Sequence, residues 1–377
     1  MRKKTKIVAT ISDLHCETNF IDELYKAGMN VVRLNTAHQT PDQTLRIVKN
    51  VRAVSEKIAL LLDTKGPEIR TVKSDVIPKI KKGDTIKISG NPAGVTTFDH
   101  LFVSYENFVD EVKENARILI DDGSIELIVK EKTSDFLLCE ATNAGIIKGK
   151  KSVNVPCARF NLPSISEKDR QYINFAIEHE LDFIAHSFVR SKEDILSIQE
   201  ILDKHKSPVQ LIAKIENQAG VDNIDEILDH AYGVMVARGD LAIEIPYERI
   251  PGIQKKIINK CIDRRKPVII ATQMLHSMIN DPRPTRAEVS DIANAIYSKT
   301  DAIMLSGETA FGKYPVESVK TMNKIAKEVE KTRGDIHETR PAVLSTETSA
   351  HLVKSAVEAS IKLKAKAIIA DTTSGRT

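Results

Sequence analysis

Lys214 and Glu216 stand two residues apart in the apolar run QLIAKIEN. In a strand that spacing turns both side chains to one face. A cation and a carboxylate set among Leu, Ile and Ala cost on the order of several kcal/mol if buried idly. Similar endings recur elsewhere. Arg33 and Asn35 close NVVRLN, Asp63 and Thr64 close ALLLDT with Arg70 just beyond, and Arg238 and Asp240 follow GVMVA. Thr272 and Gln273 close PVIIATQ, and Ser306 and Glu308 close DAIMLSGE. Glu216 and Asp240 offer two hard oxygen ligands. With water and substrate oxygens completing the shell, they make a Mg2+ or Mn2+ site. Arg33, Arg70, Lys214 and Arg238 add positive charge, so the expected substrate is densely anionic, such as a phosphorylated carboxylate. For any single residue an ion pair closing the fold explains the charge equally well; the recurrence across strand ends favours a site.

The elements that must position these residues follow from the apolar runs. Eight are legible: Lys6–Ile11, 30–35, 59–64, 183–188, 210–217, 233–238, 267–273 and 301–308. Near-continuous hydrophobicity without alternation marks parallel strands covered on both faces. Helical spacing of apolar residues fills the intervals at 43–56 and 251–265, and Ser166 caps another helix. Eight strands alternating with helices predict an α/β fold, a (β/α)8 TIM barrel, whose chemistry sits at the C-terminal ends of its strands.

The alternation breaks once. Between Thr71 and about Asn161 the text changes to short alternating strands at 84–89, 117–120, 124–129 and 136–141, with Asp121-Asp122-Gly123 as a hairpin turn. This predicts an inserted β-barrel-like lid domain after the third strand. The expected division is a barrel over 1–70 and 162–335, a lid over 71–161, and a C-terminal α/β domain over 345–377. The last holds one helix (350–363) and one strand (365–370) after a linker at 332–348, too little to bury a core, so the chain is expected to stop inside that domain.

Composition limits the remaining classes. The 377 residues include 55 basic and 52 acidic side chains, a net charge of +3 that calls for neither nucleic acid nor membrane. Aromatics are 5% and Trp is absent, which disfavours a base-stacking surface. No apolar run approaches a membrane span, and the basic N-terminus has too short an apolar stretch for a signal peptide. Cys16, Cys139, Cys157 and Cys261 show no metal-ligand spacing and read as reduced thiols, so a cytoplasmic location is expected. His38 reads as a nucleotide contact or a surface histidine. The KKGDTIKI and IIKGKK clusters read as solvated faces, with Lys151 the one lysine placed to reach the cleft. The segment Thr372–Arg376 reads as a phosphate-binding turn.

At these strand ends the sequence closely resembles the pyruvate kinase family. The carrying segments are TKIVATI, GMNVVRLN, LLDTKGPEIR, LIAKIENQAG, VARGDLAIEIP, ATQMLHSM, PTRAEVSDIANA and MLSGETAFGKYP. The resemblance implies a barrel, an inserted β lid and a C-terminal α/β domain. It also implies phosphoryl transfer from phosphoenolpyruvate to ADP, giving pyruvate and ATP as the last step of glycolysis. Carried over by motif, Glu216 and Asp240 would hold the divalent metal, and Arg238, Gly239, Asp240 and Thr272 the substrate carboxylate. Lys214 would stabilise charge on the phosphoryl group and the enolate, and Arg33 and Arg70 would neutralise phosphate oxygens. Asn35, His38, Arg70 and Lys151 would face the nucleotide. Thr272, Ser306 and Glu308 offer a relay for the proton that the enolate takes up.

Asn35, Asp63 and Thr64 would complete a K+ site. The family's serine in that site is Ala37 here, while Glu68 is the residue type of potassium-dependent members, so K+ stimulation with weakened affinity is expected. The opening TISDLHCE lacks the family's Gly-Pro. The resemblance implies a homotetramer, weakened where the C-terminal domain is cut short, and an effector loop at TTSGRT. Two other readings were weighed: a metal-dependent aldolase or carboxyl-lyase, which leaves the lid and the cations around Arg33 and Arg70 unexplained, and an inactive fragment.

Overall fold

A computed structural model describes residues 3–37, 39–156, 158, 160–333 and 348–369. Each of the eight apolar runs forms a strand: β1 (Lys6–Ile11), β2 (Val31–Asn35), β3 (Ala59–Asp63), β4 (Phe183–His186), β5 (Gln210–Ile215), β6 (Gly233–Ala237), β7 (Val268–Ala271) and β8 (Ala302–Leu305). They pair in parallel and close as β1-β8-β7-β6-β5-β4-β3-β2. Two strands, β4 and β7, stop short of their apolar runs for a backbone reason. Phe188, Thr272 and Gln273 have φ of 56°, 67° and 54°, which no strand accommodates.

An apolar plug of Val8, Leu61, Ala185, Ile212, Met235, Ile269 and Met304 fills the barrel. Side chains alternate along a strand, so the inward positions two residues further on carry Thr10, Asp63 and Lys214. The polar layer of the site therefore rests directly on the plug. Outside the strands, a second apolar layer packs the helices. Helix starts follow side-chain chemistry. Thr40 with Gln43 caps Pro41–Val54, Ser166 with Asp169 caps Glu167–Glu178, and Thr285 with Glu288 caps Arg286–Tyr297, each a reciprocal capping box. Among the described residues no helix is long and apolar enough to cross a membrane.

The insertion has its own apolar core, which includes Ile86, Val103, Phe108, Leu127 and Val153. Its sheet runs Val153–Asn154, Arg117–Ile120, Ile125–Lys132, Leu137–Ala141, Thr85–Gly90, His100–Val103. The outer edges are joined by two bridges, Arg70 to Ser152 and Thr71 to Val103, so the sheet curls into a barrel-like ring with Arg70–Thr71 as its seam. Asp121, Asp122 and Gly123 all have positive φ, the backbone of a tight hairpin turn.

Beyond the barrel, Thr348–Lys362 is helical. The strand expected at 365–370 does not form over residues 365–369. A strand needs a neighbour to take its backbone hydrogen bonds, and no other element pairs with this segment among the described residues. His38, Cys157, linker residues 334–347 and the turn Thr372–Arg376 lie outside the described residues.

Candidate active site

Four side chains form the centre of the site. The Lys214 ammonium lies 2.9 Å from Asp63 Oδ1 and 3.0 Å from Glu216 Oε1, and donates to Ser187 Oγ at 2.6 Å. Arg33 Nε reaches Asp63 Oδ2 at 2.6 Å, and its Nη1 donates to Thr10 Oγ1 at 3.1 Å. Lys214, Glu216 and Asp63 are 7%, 2% and 1% exposed, so this cluster is almost fully desolvated. Burial works against the charge on Lys214, but Asp63 and Glu216 more than offset it and hold its pKa above the usual lysine range. Burial likewise opposes ionisation of Asp63, and Arg33 and Lys214 overcome it, leaving the carboxyl below its usual range. Glu216 shifts the other way. Burial raises its pKa, the negative charges of Asp240 and Asp63 add to the rise, and Lys214 pulls against it.

The Glu216–Asp240 pair suits a divalent cation. Glu216 is held at Oε2 by the Phe188 N–H (2.8 Å) and feels Asp240, in the first turn of the helix Arg238–Glu244 that follows the neighbouring strand β6, as a like charge. Two repelling carboxylates of hard oxygen are what a small divalent cation relieves. No group of three or more metal-capable His, Cys, Asp or Glu side chains occurs among the described residues. A cation here would therefore take its other ligands from water and substrate. For a monovalent ion, Asn35 and Asp63 are paired across β2 and β3 with Thr64 next in line. One carboxylate, one amide and one hydroxyl suit a weakly held cation, since Arg33 and Lys214 already engage Asp63.

The loop after β7 is strained. Thr272 is β-branched yet sits at φ 67°, and its hydroxyl accepts the Gly239 N–H at 2.8 Å while donating to Ala271 O at 2.7 Å. The Arg238 side chain turns away from the central cluster. It pairs with Asp291 at 2.7 Å and donates to the Thr272 carbonyl at 2.8 Å, which locks the Gly239–Thr272 contact. Arg70 lies on the lid seam, paired with Glu68 at 2.7 Å and donating to the Lys150 carbonyl at 2.6 Å. Lys151 is also on the lid, paired with Asp121 at 2.8 Å. Asn35 Oδ1 accepts the Ala37 N–H at 3.3 Å. Both oxygens of the buried Glu308 accept backbone N–H groups, from Leu275 (3.1 Å) and Ser306 (2.8 Å). That use braces the loops after β7 and β8.

The description "Pyruvate kinase, barrel domain" matches residues 2–319. The chain belongs to the pyruvate kinase family. It is 51% identical over 377 residues to a pyruvate kinase of Borreliella burgdorferi, covering all of this chain and 79% of that one. Pyruvate kinases of Geobacillus stearothermophilus and Staphylococcus aureus are 46% and 45% identical across the whole chain, which spans 66% of the length of each. A crystal structure of a pyruvate kinase from Cryptosporidium parvum superimposes with a TM-score of 0.88 at 35% identity, over 97% of this chain and 78% of that one. This pyruvate kinase family member is thus an enzyme of the phosphotransferase class.

Sequence reasoning passed over two strand ends, β1, where Thr10 accepts from Arg33, and β4. Ser187, after β4, joins Lys214 to the Thr64 carbonyl, to which its hydroxyl donates at 2.6 Å. His186 faces Thr64 Oγ1 through Nδ1 at 3.2 Å, and burial lowers its pKa to about 4, so it is neutral there. Phe188 holds Glu216. The available signal was position alone: His-Ser-Phe closes an apolar run like the others, but carries no charge to draw attention. Gly66 is required at this crossing. It has φ +70°, and a Cβ there would stand 2.9 Å from both the Phe188 ring and Ser187 Cβ.

Proposed function

We propose that the chain transfers the phosphoryl group of phosphoenolpyruvate to ADP, giving pyruvate and ATP in the last step of glycolysis, in the cytoplasm. The observation that carries this reading is the desolvated Arg33–Asp63–Lys214–Glu216 cluster, with Asp240 beside it. Phosphoryl transfer asks little covalent work of a protein and much placement of charge.

On this reading Lys214 and Arg33 exchange their carboxylate partner for phosphate oxygens, and Lys214 then faces the negative charge that develops on the enolate. Glu216 and Asp240 would hold Mg2+ or Mn2+, which would supply Lewis-acid charge to the transfer. The Gly239 N–H and Thr272, fixed by Arg238, receive the substrate carboxylate. Arg70 with Asn35, His38 and Lys151 serves the nucleotide, and Asn35, Asp63 and Thr64 bind K+. Thr272 and Ser306 remain candidates for delivering the proton, with Glu308 as their brace. The barrel over 1–70 and 162–335 carries the chemistry, and the lid over 71–161 closes it.

The test is pyruvate release from phosphoenolpyruvate with ADP, Mg2+ and KCl each omitted in turn at constant ionic strength. Turnover should require ADP and Mg2+ and rise with KCl. Pyruvate formed equally without ADP would replace the reading with a phosphatase or lyase, and a flat KCl response would remove the K+ site.

A further inference from the structure

A cavity of about 610 Å3 lies between the lid and the barrel, beside the central cluster. None of Arg33, Arg70, Lys214, Glu216, Asp240 or Thr272 lines it. Its size is that of a small-molecule site. The lid wall presents Val153, Val155 and Phe160, and the barrel wall the ring of Phe188. Its polar lining is one-sided. The one arginine in the wall, Arg190, is engaged by Asp194 at 3.0 Å and by the carbonyls of Phe160 and Leu162. Glu244 has only the Gln218 N–H (3.1 Å) and no cationic partner among the described residues. A buried carboxylate short of donors is costly, about 1–3 kcal/mol. The cavity thus offers apolar walls, a carboxylate without a cation and, among the described residues, no free cation.

We propose that this cavity is a second small-molecule site, which takes a compact organic ammonium with its N–H donors on Glu244 and its apolar body against Phe160 and Phe188. The charge points the opposite way from the anion-gathering centre next to it, so the two sites select different ligands. Burial raises the Glu244 pKa, as it does for a carboxyl lacking a cation. Both aromatic rings add a favourable surface for an ammonium.

Isothermal titration of the full chain, in excess MgCl2 to occupy the Glu216–Asp240 carboxylates, compares 2-phenylethylammonium, 2-phenylethanol and 3-phenylpropionate. The ammonium should bind once per chain, at least tenfold more tightly than the alcohol, and the carboxylate more weakly than either. Glu244→Gln, checked for folding by circular dichroism, should bring the ammonium down to the affinity of the alcohol. If that variant does not fold, Ala219→Lys takes its place: a cation in the wall should weaken the ammonium at least tenfold. Equal affinity for ammonium and alcohol on the unmodified chain, no binding of any probe, or a preference that survives the substitution overturns the proposal.

Discussion

Replacing Lys214 by Met removes the one ammonium that two buried carboxylates share. At 2.9 and 3.0 Å each pair attracts by about 5.5 kcal/mol at an effective dielectric of 20. Most of that repays desolvation, and unpairing a buried charge leaves a net loss of about 3–5 kcal/mol, a fall in Tm on the order of 10 °C. The loss should depend on pH with a definite sign. Lys214 pulls the Glu216 carboxyl down against burial. Without it, Glu216 titrates further above its unfolded value. The folded variant then gains stability from protonated Glu216 at low pH and loses it as pH rises through the raised pKa. Thermal unfolding of both proteins at about pH 8 and about pH 6 should show the larger deficit at the higher pH. In the pyruvate assay kcat should fall by roughly 10²–10³ or more, with circular dichroism unchanged. Turnover within tenfold of the parent, or a Tm deficit as large at the lower pH, would refute the charge accounting.

Three further outcomes follow from the same geometry. Glu308→Gln should lower stability by about 1–3 kcal/mol, since two backbone N–H groups lose a carboxylate, yet leave the pH profile of kcat in place; a displaced limb would restore Glu308 to proton transfer. Burial pushes the Cys139 and Cys261 thiols up to about 12, so iodoacetamide at about pH 8 should leave both unmodified in the native chain and label both after denaturation, read by mass spectrometry. Thr272→Gly relieves a positive φ that Thr272→Ala keeps, so the glycine variant should unfold at the higher temperature, by about 1 kcal/mol, while both lose kcat/KM; the reverse order of Tm would show that the loop is not strained.

The barrel was legible because each strand is an apolar run too short to be anything else, and its inward positions turn polar at the end that bears the site. Lys214 and Glu216 were legible for that reason. The direction taken by Arg238 was not, because Asp291, its partner, lies far along the chain and no local pattern joins them. Ser187 was hidden by its neutrality. The backbone at Phe188 and Thr272 was hidden because a left-handed φ at a bulky residue is imposed by packing, against local preference. The terminal strand failed for the complementary reason: AKAIIA has the composition of a strand, but composition supplies no neighbour.

Arg70 gives the lid a second task. Its backbone is stitched into the lid ring on both sides, to Ser152 by a bridge and to Ser104, whose N–H donates to the Arg70 carbonyl at 2.8 Å. On the proposed function, a lid that swung would carry this guanidinium with it, so that excluding water and delivering a phosphate-neutralising cation would be one event.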